Sequence, residues 1–529
     1  MTTTFSVRWR TFRRRAVVMA LAMAVSVVVP ATEAAHAAPP SHRATLKLPT
    51  PTDPVSGPVD TAPPPEVVGS AVLNPPFTGL DETVDNTAVS DTVVAAGATK
   101  VLQAVNRSLR MTDTTGGNAQ VMSLEQFFGA AGQGLMFDPK VHFDRNAVNQ
   151  RFYAIALQEA NTDNGNPADD FSAIHLAVSR SAAPSGLDPA NWCRYELDGL
   201  LTSPATGNQV STADFPGLGV GADGIVITTN QHTGDFAVAA VRALDKALYS
   251  NNAASCPLAP YWELEASGVF NDFSAHTLQP AQHYTNPTSF PGRANPVYLV
   301  STRHAEVSNA YRVWRVANIA PFDPVTPPVL ESTTVSWSTY SPPPAAPGGA
   351  GGAKVDTGDS RTLQVAGVGD AITAAHAIAC QFTAGTALES CVRVVRLVMG
   401  QSGGVMTATK SELQGLGGGD NAFYHHPGVA VDTSHHTAVV FLANLPGNAH
   451  RVSSRVAVKA LGAGFGASVA LTDGTCARAP FLPGLAVRTG DYTGAQTSVD
   501  GSAFWVTAEH ADLVGGVCRW KSRIARVTP

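Results

Sequence analysis

Apolar and polar residues alternate in short runs along most of this chain, and Gly, Pro, Asp or Asn breaks each run. One phrase keeps returning. A Pro or Gly opens an alternating run, a turn with Asp or Gly follows, and a second run answers it. It reads FDPKVHFDRNAVNQRFYAIAL from Phe137, ADFPGLGVGADGIVITTN from Ala213 and HHPGVAVDTSHHTAVVFLAN from His425. It returns as LPGLAVRTGDYTGAQTSVDGSAFWVTAEH from Leu482. Alternation of period two predicts paired strands, and a lone hairpin of this kind cannot bury its apolar face. Stacking such units around an axis buries those faces, which predicts an all-β fold, a seven-bladed β-propeller of four-stranded antiparallel blades.

Seven units follow from the spacing. They cover Asp91 to about Phe128, Phe137 to Gly199, Asp214 to Lys246 and Ala281 to Ile319, then Arg361 to Gly400, Tyr424 to Leu461 and Leu482 to Val527. No helix of confident length is predicted. Pro and Gly crowd the stretch from Pro342 to Gly352, so a flexible insertion is expected at about 322–355.

The first 37 residues read differently. Arg8, Arg10 and Arg13 to Arg15 precede an apolar run from Ala16 to Val29, and Ala35-His36-Ala37 offers a small-x-small cleavage pattern. That apolar run is short for a membrane span, which takes about 20 residues. The expectation is a signal peptide over 1–37, a Pro/Ala-rich leader or spacer over 38–80, and the propeller over 81–529. The Arg pairs leave general secretion and twin-arginine export both open. The mature chain is expected outside the cytoplasm, at the cell surface, in the periplasm or secreted, without a membrane span.

Composition narrows the partners. The net charge is −6 with 14% charged residues, and no basic run lies beyond the signal, which excludes a general nucleic-acid binder. All six cysteines lie beyond the signal. Neighbour pairing is expected, as Cys193–Cys256, Cys380–Cys391 and Cys476–Cys518.

Several phrases, VDTGDSR (Val355–Arg361), RTGDYTGA (Arg488–Ala495), DGSAFWVTAEH (Asp500–His510) and FPGLGVGADGIVITTN, resemble blade phrases of secreted bacterial seven-bladed β-propeller proteins, loosely sialidase-like. The resemblance covers roughly Asp91 to the C-terminus and implies the fold rather than a reaction. SVDGSAFW (Ser498–Trp505) also resembles the Asp-box turn of sialidase blades, although Gly501 directly follows Asp500.

In a propeller, polar residues just before the inner strands sit at the channel mouth. That places Asp138, Lys140, Asp214, Arg293, Asp359, Arg361, His425, His426, Arg488, Asp491 and Tyr492 among the candidates. Convergence of Arg293, Arg361 and Arg488 would make an acidic-sugar site, because guanidinium groups hold carboxylates bidentately. Tyr492 could then act as nucleophile with Glu509 as its base, with Asp491 a further catalytic candidate. The competing reading is that Asp359–Arg361 and Arg488–Asp491 pair internally and stitch blades together. Adjacent histidines on a strand point to opposite faces, so no metal site is expected. The oxygen-rich loop Asn161–Asp170 could hold a structural calcium, and no other cofactor is expected. The sequence therefore points to a monomeric propeller binding an extracellular glycan or surface protein. A glycan-active hydrolase or lyase on acidic sugars, and a structural cell-wall accessory, remain open.

Overall fold

The alternating runs become strands, and nearly every strand pairs antiparallel with its neighbour in sequence. The computed structural model of the protein describes residues 39–44 and 71–529, apart from 131, 133, 146–147, 149, 161–170, 204–205, 251–254, 267–274, 383–385 and 420. The expected signal, most of the leader and the candidate calcium loop lie outside the described residues.

Among the described residues, the strands form six hydrogen-bonded sheets. The first contains Val93–Ala96, Lys100–Val105, Ser108–Asp113 and Gln120–Ser123. The second contains Leu135–Asp144, Arg151–Ala160, Phe171–Ser179 and Trp192–Asp198. In the third, Val210–Val220, Gly224–His232, Phe236–Asp245 and Tyr261–Glu265 lie side by side. The short strand Ser41–Ala44 adds to its outer edge, parallel to Tyr261–Glu265. An eight-stranded sheet follows, built from two antiparallel groups of four. One begins with Gln279–Thr285 and the other with Gln364–Val368, and these two strands pair in parallel. The next sheet begins with Phe423–Val431. The last holds Gly494–Thr497, Phe504–Val514 and Val517–Thr528, and the N-terminal strand Phe77–Asp81 pairs with Val517–Thr528.

The first strand of each group packs against the first strand of the next, and Gly494–Thr497 packs back against Val93–Ala96. The result is a closed, propeller-like ring. Close approach of these inner strands demands small residues: a Cβ on Gly494 would lie 2.7 Å from Val93 Cα.

The recurring Pro phrase has a specific geometry. Phe137 pairs with Leu157 and Lys140 with Ile155, so three steps on one strand face two on the other. The same count holds between Asp214 and Gly217 and between His425 and Gly428. Each is a β-bulge, and the proline that cannot donate to the ladder occupies it. Asp138, Phe215 and His426, each just before that proline, take φ of 53°, 50° and 48°. Asp91 and Thr277 take the same left-handed turn, at φ 44° and 56°, just before their own inner strands.

Two expectations are corrected. Cys193–Cys256 and Cys476–Cys518 are disulfides, but Cys380 and Cys391 are free, buried thiols. Cys380 faces Glu389 and Cys391 faces Ile378, so the two are diagonal rather than opposite partners. The two thiols lie within hydrogen-bonding reach of each other, and burial together with the neighbouring Cys380 pushes the Cys391 thiol well above its ordinary value. The stretch expected as a flexible insertion instead supplies the outer strand Val329–Tyr340. Beyond it Ala346 and Val355 pair with each other and Val355 bridges Val487, with both Ala346 and Val355 fully buried.

Candidate functional site

The left-handed bulges gather side chains from several groups at the end of the ring where the inner strands begin. Lys140 Nζ stands 2.9 Å from the Tyr492 ring centroid and 5.6 Å from that of Phe215. Arg361 lays its guanidinium 4.6 Å over the other aromatic neighbour, the Phe215 ring. The Asp491 N–H donates to Asp91 Oδ1 at 2.5 Å, joining the last group to the first. Below this cup the channel is closed by glutamines. Gln364 Nε2 donates to Ala495 O at 2.6 Å and to Gln282 Oε1 at 3.2 Å, and only about 30 Å³ of cavity remains beside them.

Electrostatics divide the aspartates. Burial, then the charges of Asp491 and Asp138, push the Asp91 carboxyl well above its ordinary range. Burial would raise Asp491 too, but the charge and hydrogen bond of Arg488, with His426 and Arg361, hold it low. Asp359 follows the same logic: burial opposes ionisation, and Arg361 overcomes it through a forked contact of 2.9 and 2.7 Å. Burial pushes Lys140 down to about 7, against the pull of Asp138, Asp91 and Asp491. His426 is pushed down to about 4, chiefly by burial, and its Nδ1 lies 2.7 Å from that of His425. His276 and His304 stack with centroids 3.9 Å apart, and burial lowers both below the ordinary histidine value.

Of the residues expected from sequence, Asp359, Arg361, His426, Arg488, Asp491 and Tyr492 come together here. Asp214 joins at the rim, half-exposed, 4.0 Å from His232. Arg293 does not. It follows its inner strand instead of preceding it, and its guanidinium forks onto Glu331 at 2.7 and 3.3 Å. The three-arginine anion clamp is therefore not assembled, and Arg361 and Arg488 each hold a neighbouring aspartate. The Tyr492–Glu509 pair is not formed either. The Tyr492 hydroxyl donates to Pro139 O at 3.2 Å, while Glu509 accepts from the Gly490 N–H and lies 3.6 Å from Arg478. Burial and the surrounding aspartates push the Tyr492 hydroxyl well above its ordinary value, the reverse of an activated nucleophile.

Sequence reasoning missed Asp91, whose phrase lacks the proline, and Phe215, which reads as one more apolar residue of a strand. Five aspartates (Asp91, Asp138, Asp214, Asp359, Asp491) face two arginines and one lysine, so the cup carries a formal excess of carboxylate. Such a site disfavours anionic ligands and suits neutral, hydroxyl-bearing ones. Among the described residues, no group of three or more His, Cys, Asp or Glu side chains is arranged to hold a metal ion, and no helix is long and apolar enough to cross a membrane.

No family model matches the chain, and no curated protein matches it. Among solved structures it is similar to the GH93 α-L-arabinofuranosidase of Fusarium graminearum with arabinobiose, at 10% identity over 87% of this chain and 98% of that one, with a TM-score of 0.38. An α-L-arabinofuranosidase mutant of the same fungus with an iminosugar inhibitor aligns at 9% identity over 87% and 98%, with a TM-score of 0.37. A protein of unknown function from Dyadobacter fermentans aligns at 10% identity over 62% of this chain and 97% of that one, with a TM-score of 0.27. Superpositions this loose assign no activity, so function is drawn from the residues of the cup.

Proposed function

We propose that this chain is an exported seven-bladed β-propeller that cleaves a neutral glycan at its channel mouth. The blade count takes the eight-stranded sheet as two blades joined through their inner strands, and takes Phe77–Asp81 as the outer strand that closes the last blade. The observation that carries the activity is the split between neighbouring carboxyls, with Asp91 favoured as the acid and Asp491 as the carboxylate. Glycoside hydrolysis uses such a pair: one carboxyl protonates the leaving oxygen, and the other activates water or attacks the sugar. In this reading Asp91 is the acid and Asp491 the base or nucleophile. Arg361, Asp359 and Asp214 offer hydrogen bonds to the hydroxyls of a sugar.

Export rests on the signal-like segment 1–37, and the two disulfides are compatible with it. The test is release of reducing sugar by residues 38–529 from a panel of neutral polysaccharides and aryl glycosides. Turnover that is abolished by Asp91→Asn, with an unchanged denaturation midpoint, supports the reading. Saturable glycan binding with no turnover on any member of the panel overturns it in favour of a binding propeller.

A further inference from the structure

The Asp-box-like turn plays no part in the mouth. It lies at the opposite end of the inner strands, where Gly494–Thr497 ends and Ser498–Asp500 begins. There the first and last sheets leave a cavity of about 660 Å³ between them. Its lining includes Asn74, Phe77, Thr115, Asp500, Trp505 and Arg526.

Trp505 is the telling residue. Among the described residues, five tryptophans are buried: Trp192, Trp262, Trp314, Trp505 and Trp520. Four of them donate their indole N–H within the protein, to Gly186 O, Asp323 O, Ser301 Oγ and Thr87 O. Trp505, only 4% exposed, has no such partner among the described residues, and its Nε1 is not walled off from solvent. Burying an indole normally brings a partner for its N–H, and Trp505 lines the cavity, so its N–H is available to an acceptor on a ligand.

The other walls define that acceptor. Phe77 sets its ring edge-on to Trp505 at 6.4 Å, which makes an aromatic corner. Above it, Asp500 is fixed by Ser498 Oγ at 2.5 Å and by the Ser502 N–H at 3.1 Å and Oγ at 2.7 Å, yet its side chain stays 62% exposed. Arg526 Nη2 lies 3.5 Å from Asp500 Oδ2 and donates to Ser502 Oγ at 3.2 Å. The hydroxyls of Ser498 and Ser502 hold Asp500 down to about 2, so it is an acceptor at any working pH. An aromatic wall beside a fixed carboxylate and guanidinium matches one ligand chemistry. A sugar ring has apolar C–H faces for the wall and ring-edge hydroxyls that both donate and accept. The volume falls within the range of small-ligand pockets, roughly 300–1,000 Å³.

We infer that this cavity is a saccharide-binding subsite on the far rim, separate from the mouth and independent of whether the mouth is catalytic. The test titrates residues 38–529 with cellobiose and with xylobiose by calorimetry. Wild type is expected to bind at least one of them with Kd of about 1 mM or tighter. Thr115→Trp, which fills the cavity from an exposed position, should weaken that binding at least about tenfold. Trp505→Phe, which keeps the ring but loses the N–H, should weaken it several-fold, and Asp91→Asn should leave it unchanged. Melting temperatures within error of wild type certify the variants. The inference is overturned if neither disaccharide binds, if binding ignores both Thr115→Trp and Trp505→Phe, or if it disappears with Asp91→Asn instead. Saturable disaccharide binding by wild type that shows no turnover on any glycan would sink the proposed function and leave the subsite standing.

Discussion

One buried amide helps close the ring, and Gln103→Leu should weaken that closure. Gln103 is fully buried on the second strand of the first sheet. Its Nε2 donates to Thr507 Oγ1 at 3.0 Å and to Ser522 Oγ at 2.9 Å, both in the last sheet. Its Oε1 accepts the Leu80 N–H at 3.0 Å, and Ser522 Oγ in turn donates to Leu80 O at 2.6 Å. The first sheet, the last sheet and the N-terminal strand are therefore tied through one side chain. Gly79 leaves space for it: a Cβ there would fall 2.6 Å from the Gln103 amide. Leucine keeps the volume and removes three hydrogen bonds, leaving the Leu80 N–H without its acceptor. Each bond contributes about 1 kcal/mol, and an unmet buried donor costs about 1–3 kcal/mol. Leucine's better transfer into the interior offsets about 1–2 kcal/mol, so the net loss should be about 2–5 kcal/mol. Guanidinium denaturation should show a lower midpoint, and limited proteolysis should release the N-terminal strand before the rest of the chain unfolds. A midpoint equal to wild type, with the strand as protected as before, would refute the closure argument.

Other outcomes follow from the same structure. Thiol titration of the denatured, unreduced protein should find two free cysteines, Cys380 and Cys391, and peptide mapping that links them instead would reverse the assignment. Lys140 sits near 7 in the fold against about 10.4 in an unfolded chain, so the native state binds fewer protons between those values. Its contribution to stability is thus present above the unfolded value and is lost as pH falls toward 7, with a slope of at most about 1.4 kcal/mol per pH unit. Stability–pH curves of wild type and Lys140→Met should diverge over that window, and parallel curves would contradict the assignment. Arg488 holds the Asp491 carboxyl low, so Arg488→Ala should move the acidic limb of the pH–rate profile to higher pH, and an unmoved limb would separate Asp491 from the chemistry.

Much of the architecture was legible because a strand repeats every two residues. FDPK, DFPG and HHPG announce the strands, but reading their prolines as strand openings hid the bulges that aim Asp138, Phe215 and His426. Asp91 and Thr277 make the same left-handed turn without proline, and nothing in their phrases marks it. The cysteine pairing failed on register: one hairpin does join Cys380 to Cys391, but alternation does not say which residues stand opposite. Arg293 was misplaced because a polar residue near an inner strand reads alike before and after it, and the two ends of that strand face opposite rims. The pairing of Arg361 with Asp359 and of Arg488 with Asp491 was open from sequence, since i, i+2 and i, i+3 neighbours can also point apart.

Asp91 as the proton donor is the claim on which the functional account turns, and leaving-group dependence tests it most directly. The measurement is kcat/KM of wild type and Asp91→Asn on a substrate identified by the polysaccharide and aryl-glycoside panel, against the matching 2,4-dinitrophenyl glycoside, whose departure needs no proton. The account predicts a loss of at least about a hundredfold on the natural linkage and near-wild-type rates on the dinitrophenyl compound. Equal losses on both, or full activity of Asp91→Asn on the natural linkage, would contradict it.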